Sequence, residues 1–76
     1  MRSKCIQCFE ENDRVTVRKL WLCDEKRKRL ASVGLQEGAE VSVFLKEKEK
    51  MILKTGNRKI ALSEKILQRI FVAPIL

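Results

Sequence analysis

The chain has 76 residues, of which 17 are Lys or Arg, 10 are Asp or Glu and none is His, so its formal net charge is +7. A single domain of this length buries only about 60% of the surface of its unfolded chain, so its core is thin and a deep substrate cavity is not expected. The absence of His excludes Ser-His and Cys-His catalytic arrangements. The composition therefore favours a non-catalytic binding or regulatory module over an enzyme.

Residues 1–11 are predicted to be an irregular N-terminal segment. They lack the apolar core of a secretory signal. The longest apolar run, residues 70–76, is far shorter than the roughly 18 residues that a membrane-spanning helix needs. The chain is therefore expected in the cytoplasm, where cysteines stay reduced.

Three cysteines are the candidate metal ligands. Cys5 and Cys8 have the Cys-x-x-Cys spacing of half a zinc site, and Cys23 could supply a third thiolate. A structural zinc site needs four ligands, and without His the fourth would have to be a carboxylate such as Asp24 or a Cys of a second chain. We therefore expect free thiols and no cofactor.

The first strand is predicted from Arg14 onwards, because Val15 and Val17 alternate with polar residues. After Lys19 the apolar position moves to Leu20, which shifts the alternation by one residue. Such a shift is typical of a β-bulge, which bends a strand sharply.

A short helix is predicted over residues 24–33. Asp24 is the candidate N-cap, and basic residues follow the acidic first turn, as the helix dipole favours. Gly34 is the candidate left-handed residue that ends the helix, with Leu35 as the apolar contact that accompanies it. Gly38 is predicted to turn the chain into the next strand.

The remainder of the chain reads as short strands joined by tight turns. We predict strands over 41–45, 51–55, 58–62 and 70–72, a hairpin turn at Gly56-Asn57, and one helical turn over 64–67 that Ser63 caps. Strands of this length and spacing predict a mainly β fold, a small barrel of five or six strands with one inserted short α-helix, over residues 12–76.

Three aromatic residues are predicted to face outwards, since Trp21, Phe44 and Phe71 lie opposite the apolar faces of their strands. Each is either covered by the inserted helix or exposed as a docking anchor. On the helix, Arg27 and Arg29 belong to a basic run that forms a solvated face or guides the protein to an acidic partner. The aromatics do not interleave with basic residues, so nucleic-acid binding is disfavoured.

Two ordered sets of residues resemble one protein family. The basic helix ends in Gly34-Leu35 and is followed by Glu37-Gly38 and a strand from Val41. The second set is a Gly56 turn, an Ile-Ala-Leu strand over 60–62, and a closing Ile-Phe-Val over 70–72. Together they are similar to the FeoA family, the ferrous iron transport protein A domain. The Cys-x-x-Cys start is not part of that pattern.

This resemblance implies a cytoplasmic, SH3-like barrel that is not an enzyme. It also implies a partner, the cytoplasmic GTP-binding region of a FeoB-type Fe(II) transporter, whose transport the domain would regulate. The residues predicted to contact that partner are Trp21, Arg27, Arg29, Leu35, Phe44 and Phe71. A similar barrel occurs in metal-dependent transcriptional repressors, which leaves a repressor-associated or nucleic-acid-binding module as the alternative. The sequence does not determine the oligomeric state.

Overall fold

The computed structural model describes residues 3–75, so the first two residues of the predicted irregular segment and the last residue of the predicted domain lie outside it. Six strands form one antiparallel sheet in the order β1-β6-β2-β3-β4-β5. The strands are β1 (Lys4–Cys5), β2 (Arg14–Leu20), β3 (Glu40–Lys46), β4 (Lys50–Thr55), β5 (Arg58–Ser63) and β6 (Ile70–Pro74). The helices are α1 (Asp24–Ala31), α2 (Glu64–Leu67) and a 3-10 helix (Ile6–Cys8).

The sheet curls around one apolar core, which confirms the predicted mainly β fold. The edge strands β1 and β5 are not paired with each other within residues 3–75. The 3-10 helix and α2 each contribute a core side chain, and the Cys5 thiol donates to the Leu67 carbonyl at 3.4 Å. The core consists of Ile6, Val15, Val17, Leu20, Leu35, Val41, Val43, Met51, Leu53, Leu62, Leu67, Ile70 and Val72.

The predicted bulge in β2 is confirmed. The register between β2 and β6 shifts between Val17 and Lys19, so Val15, Val17 and Leu20 all reach the core despite the broken alternation. A second bulge, not predicted, lies in β3 between Val43 and Leu45. Bulges increase the bend and twist of a strand, which a small curled sheet requires.

Helix α1 begins one residue earlier than a cap at Asp24 would place it. Cys23 occupies the N-cap position, without a side-chain hydrogen bond, and Asp24 is the first helical residue. The prediction of Asp24 as N-cap is therefore wrong. Asp24 still lies in the first turn, where a negative charge interacts favourably with the helix dipole.

The end of α1 has the hydrogen bonds of a Schellman motif, as the Gly34-Leu35 pair predicts. Gly34 has φ +96°, its N–H donates to the Ala31 carbonyl at 3.0 Å, and the Leu35 N–H donates to the Leu30 carbonyl at 2.9 Å. Leu30 and Leu35 both pack in or against the core. The regular helix ends at Ala31, two residues before the predicted end.

The N-terminal segment differs from the prediction of irregular structure. Lys4 and Cys5 pair with Val72 and Phe71 of β6, and the Ile6 side chain is fully buried. A two-residue strand followed by one helical turn is too short to produce a recognisable period. A single apolar residue among polar ones also gives no sign that it is buried.

The remaining strands match the predicted positions, each extended by one or two residues at an end. Gly56 and Asn57 form the two-residue turn of the β4–β5 hairpin, with Gly56 at φ +60°. Ser63 holds the N-cap position of α2 but makes no side-chain cap bond.

Replacing Gly34 with Val is expected to destabilise the domain by about 2–3 kcal/mol, since φ +96° strains any residue with a Cβ. The added Cβ would also lie 3.1 Å from the Thr55 Oγ1, a buried hydroxyl that donates to the Val33 carbonyl at 3.2 Å. For a domain of this size, thermal unfolding should then occur roughly 10 °C lower or more.

The matched control is Gly56→Ala, whose added Cβ has open space around it. That variant carries only the left-handed strain, about 1 kcal/mol. An unchanged melting temperature for Gly34→Val would contradict the cap assignment.

Candidate docking surface

Trp21 is the most exposed large apolar side chain in the described part of the chain, at 59%. It follows β2 directly, and its N–H donates to the Arg69 carbonyl at 2.8 Å, which fixes its backbone. The Lys19 ammonium lies 5.0 Å from the centre of its ring, within the range of a cation–π interaction. The structure therefore presents this indole on a rigid support.

Glu37 connects this end of β2 to the turn after α1. Its carboxylate accepts a hydrogen bond from the Leu20 N–H at 3.3 Å and lies 3.8 Å from the Lys19 ammonium. The turn continues with Gly38, whose N–H donates to the Val17 carbonyl at 2.7 Å. These contacts hold the turn and the Trp21 segment together.

An open hollow of about 330 Å³ lies between α1 and that turn. Its floor includes apolar atoms of Leu20 and Ala31, and its rim is charged. The other lining residues are Asp24, Arg27, Lys28, Gln36 and Glu37. We call Trp21, helix α1 and this hollow the helix corner.

The outer face of α1 is basic and solvated. No residue of the helix is buried, and Lys26, Arg27, Lys28 and Arg29 are all exposed. Arg27 lines the hollow, whereas Arg29 makes an exposed ion pair with Glu25 at 3.5 Å. Such a pair contributes little to stability, so the charges remain available to a partner.

Phe44 is also exposed, at 47%, but it does not lie beside α1. It occupies the bulge of β3, next to Val43, whose backbone bonds to Asn12 and Asp13 before the start of β2. Trp21 follows the other end of β2. The predicted contact residues Phe44 and Trp21 therefore do not form one group, because antiparallel pairing places Phe44 of β3 near the start of β2, whereas Trp21 follows the end of β2.

Two other predicted contact residues are less accessible. Leu35 is fully buried in the core, so its prediction as a partner contact is wrong, because the cap at Gly34 turns its side chain inwards. Phe71 is half-buried, with Cys5 of β1 on one side and Lys19 of β2 on the other.

The structure does not bring the three cysteines together. Cys5 lies in β1, Cys8 ends the 3-10 helix, and Cys23 precedes α1. Among residues 3–75 no three Cys, His, Asp or Glu side chains are close enough to one another to hold a metal ion. The Cys5 thiol donates to the Leu67 carbonyl and so contributes to packing.

No helix in the described range is long and apolar enough to cross a membrane. The fold and the surface together define a small SH3-like β domain with an inserted basic helix. The sequence model of the FeoA domain matches residues 8–74, and the chain therefore belongs to the FeoA family. Members of this family are small accessory domains associated with ferrous iron transport.

Solved structures with the same fold include FeoA proteins and a repressor. The crystal structure of an iron uptake regulatory protein, FeoA, aligns over 97% of this chain and 100% of its own, with 20% identity and a TM-score of 0.86. FeoA from Chlorobium tepidum aligns over 96% of this chain and 71% of its own, with 17% identity and a TM-score of 0.87.

A manganese-dependent transcriptional repressor aligns over 96% of this chain but only 42% of its own, with 17% identity and a TM-score of 0.82. At these identities the likeness establishes the fold alone. No curated protein sequence matches the chain significantly.

Proposed function

We propose that this chain is a non-catalytic accessory module of ferrous iron uptake. In this proposal it acts in the cytoplasm by binding the cytoplasmic GTP-binding region of a FeoB-type Fe(II) transporter, whose transport it regulates. Family membership supports the iron context. The observation that carries the docking is the exposed Trp21 ring beside a basic helix.

Trp21 has the properties of an interface anchor. Aromatic anchors contribute most to affinity when they are held rigidly, because little conformational entropy is then lost on binding. The hydrogen bond from the backbone N–H of Trp21 to the Arg69 carbonyl holds the main chain, and the Lys19 ammonium lies over the indole ring. These two contacts supply that rigidity. The hollow whose apolar lining includes Leu20, the residue before Trp21, could receive a side chain from the partner.

The charge of α1 supports a partner with an acidic surface. Exposed basic side chains cover the helix, and the whole chain carries a net charge of +7. Charges of this kind mainly accelerate association and orient the encounter, and salt screens them. The indole would thus determine how long the complex lasts, and the arginines how fast it forms.

Phe44 marks a second candidate contact. The Lys59 ammonium lies 4.0 Å from the centre of the Phe44 ring, so this exposed aromatic makes a cation–π contact with a lysine, as Trp21 does. Because the two rings lie at opposite ends of β2, one compact partner surface would contact one of them. The basic helix beside Trp21 favours the helix corner.

A repressor-associated or nucleic-acid-binding module is the second candidate, supported by the likeness to the manganese-dependent repressor and by the basic helix. A duplex-binding function would lose affinity steeply with salt. Docking through an apolar anchor would lose much less. Titration of the chain with duplex DNA at two salt concentrations separates the two functions.

Trp21→Ala is expected to weaken binding to the transporter's cytoplasmic region by about 2 kcal/mol, roughly 30-fold in affinity. The lower affinity should appear mainly as a faster dissociation rate, because short-range contacts break only as the complex separates. Surface plasmon resonance with the immobilised cytoplasmic region measures both rates.

Phe44→Ala is the matched control, since it removes an exposed aromatic with a similar lysine partner at the other end of β2. It should bind like the unmodified chain. A loss in Phe44→Ala but not in Trp21→Ala would move the docking surface to the β3 bulge. If neither variant loses affinity, docking through an aromatic anchor is contradicted.

Reversing the charge of Arg27 and Arg29 to Glu should slow association about tenfold at low salt, with little change in dissociation. At roughly 0.5 M salt the difference should shrink, because screening shortens the range of the interaction. Lys48→Glu in the β3–β4 turn, combined with Lys50→Glu at the start of β4, makes the same change in net charge away from α1. An equal effect of both pairs would show that net charge alone acts.

A further inference from the structure

Strand β5 is an edge strand with an unused row of backbone hydrogen-bonding groups. It pairs with β4 over six consecutive residues, from Thr55↔Arg58 to Lys50↔Ser63, without a bulge. No other strand pairs with it within residues 3–75. Its sequence contains no Pro, and four of its six residues are exposed. Regular, uncovered edges of this kind are templates for a further strand.

The two-residue turn determines which groups are free. Arg58 directly follows the Gly56-Asn57 turn, so it is hydrogen-bonded to Thr55, and Ile60 and Leu62 follow with the same orientation. The bond from the Glu64 N–H to the Glu49 carbonyl, 3.0 Å, continues this alternation. The N–H groups of Lys59, Ala61 and Ser63 therefore point away from β4, as do the carbonyls of Lys59 and Ala61.

Edge strands are often protected by a lysine, but Lys59 is turned away from this edge. Its ammonium lies 4.0 Å from the centre of the Phe44 ring, and Phe44 belongs to β3, on the far side of β4. The side chain therefore lies across the sheet, and the backbone beside it stays accessible.

We propose that β5 pairs antiparallel with β5 of a second copy of this chain, with Ala61 opposite Ala61 of the partner subunit. Each Ala61 N–H then donates to the other copy's Ala61 carbonyl. Each Ser63 N–H donates to the carbonyl of Lys59 of the partner subunit. The sheet becomes continuous across the two copies, and the small Ala61 side chain lies on the two-fold axis.

This register also matches the side chains. Arg58 lies opposite Glu64 of the partner subunit, an opposite-charge pair. Glu64 is the first residue of α2, but its N–H still bonds to the Glu49 carbonyl in line with the β4–β5 ladder. The half-buried Ile60 lies opposite Leu62 of the partner subunit. A shift by two residues in one direction would extend the pairing to Lys65 of the partner subunit, which lies in α2 and does not continue the strand. The shift in the other direction would place Arg58 opposite Leu62 of the partner subunit. The Ala61-centred register is therefore favoured over both.

Sedimentation of the full chain from about 10 μM to 2 mM tests the proposal, because a short edge interface is expected to be weak. The mass should rise from 8.9 kDa towards twice that value with concentration. Arg58→Glu and Glu64→Arg should each lower the association constant about tenfold, since each places like charges opposite one another. The double variant should restore the association constant to within about threefold of the original, because each position again lies opposite a residue of opposite charge.

Matched controls separate this pairing from a net-charge effect. Lys48→Glu and Glu47→Arg make the same charge changes in the β3–β4 turn and should leave association unchanged. Ala61→Pro removes a central donor that points away from β4, so it should abolish the dimer while circular dichroism shows a folded chain. A chain that stays monomeric at 2 mM would overturn the proposal, as would a dimer unaffected by the single reversals and by Ala61→Pro.

Discussion

Leu35 is the residue on which the position of helix α1 depends. No residue of the helix is fully buried, and Leu30 packs against the core only partly buried. Leu35 is fully buried, and it follows Gly34, whose left-handed backbone ends the helix against the Thr55 hydroxyl. Most helices in proteins are stabilised by packing an apolar face. Here Leu35, which follows the cap, adds to the packing of Leu30, and the basic residues of α1 remain in solvent.

The same turn joins the helix to the exposed indole. Two residues after Leu35, Glu37 bonds to the Leu20 N–H and lies beside Lys19, which in turn lies over the Trp21 ring. The backbone between α1 and the indole is therefore held at Leu35, in the core, and at the bond from the Leu20 N–H to Glu37. A partner would bind the basic residues of α1 and the Trp21 indole in a preformed arrangement, which lowers the entropy cost of binding.

The features of the fold that depend on a local sequence pattern could be predicted from the sequence. The shifted alternation after Val17 identified a bulge, and Gly34-Leu35 identified a helix end, because both depend on neighbouring residues only. The burial of Ile6 could not be predicted, since it arises from pairing between the first and last strands. The bulge at Phe44 interrupts an alternation that looked regular in the sequence.

The candidate site was predicted less well than the fold. Trp21, Arg27 and Arg29 are exposed, but Leu35 was placed on the surface when it belongs to the core. A cap residue and a contact residue have the same sequence signature, an apolar side chain beside a glycine. Which end of the sheet an aromatic occupies depends on pairing between distant strands, and no local pattern in the sequence reveals that pairing.

The two proposed interactions use different residues. Docking at the helix corner depends on Trp21 and α1, whereas self-association depends on the backbone of Lys59, Ala61 and Ser63. A dimer would therefore still carry an exposed Trp21 on each copy. A lysine over an aromatic ring contributes to each surface. The Lys19 ammonium packs over the Trp21 ring, and the Lys59 ammonium packs over the Phe44 ring and so lies away from the β5 edge.

Mapping of amide and indole chemical shifts during titration with the cytoplasmic region of a FeoB-type transporter tests the central claim most directly. It locates the contact without any substitution. The account predicts that the largest changes fall on the Trp21 indole, on the amides of α1 and on Gln36 and Glu37. Changes confined to the Phe44 end of the sheet, or no changes at millimolar concentrations of both proteins, would contradict it.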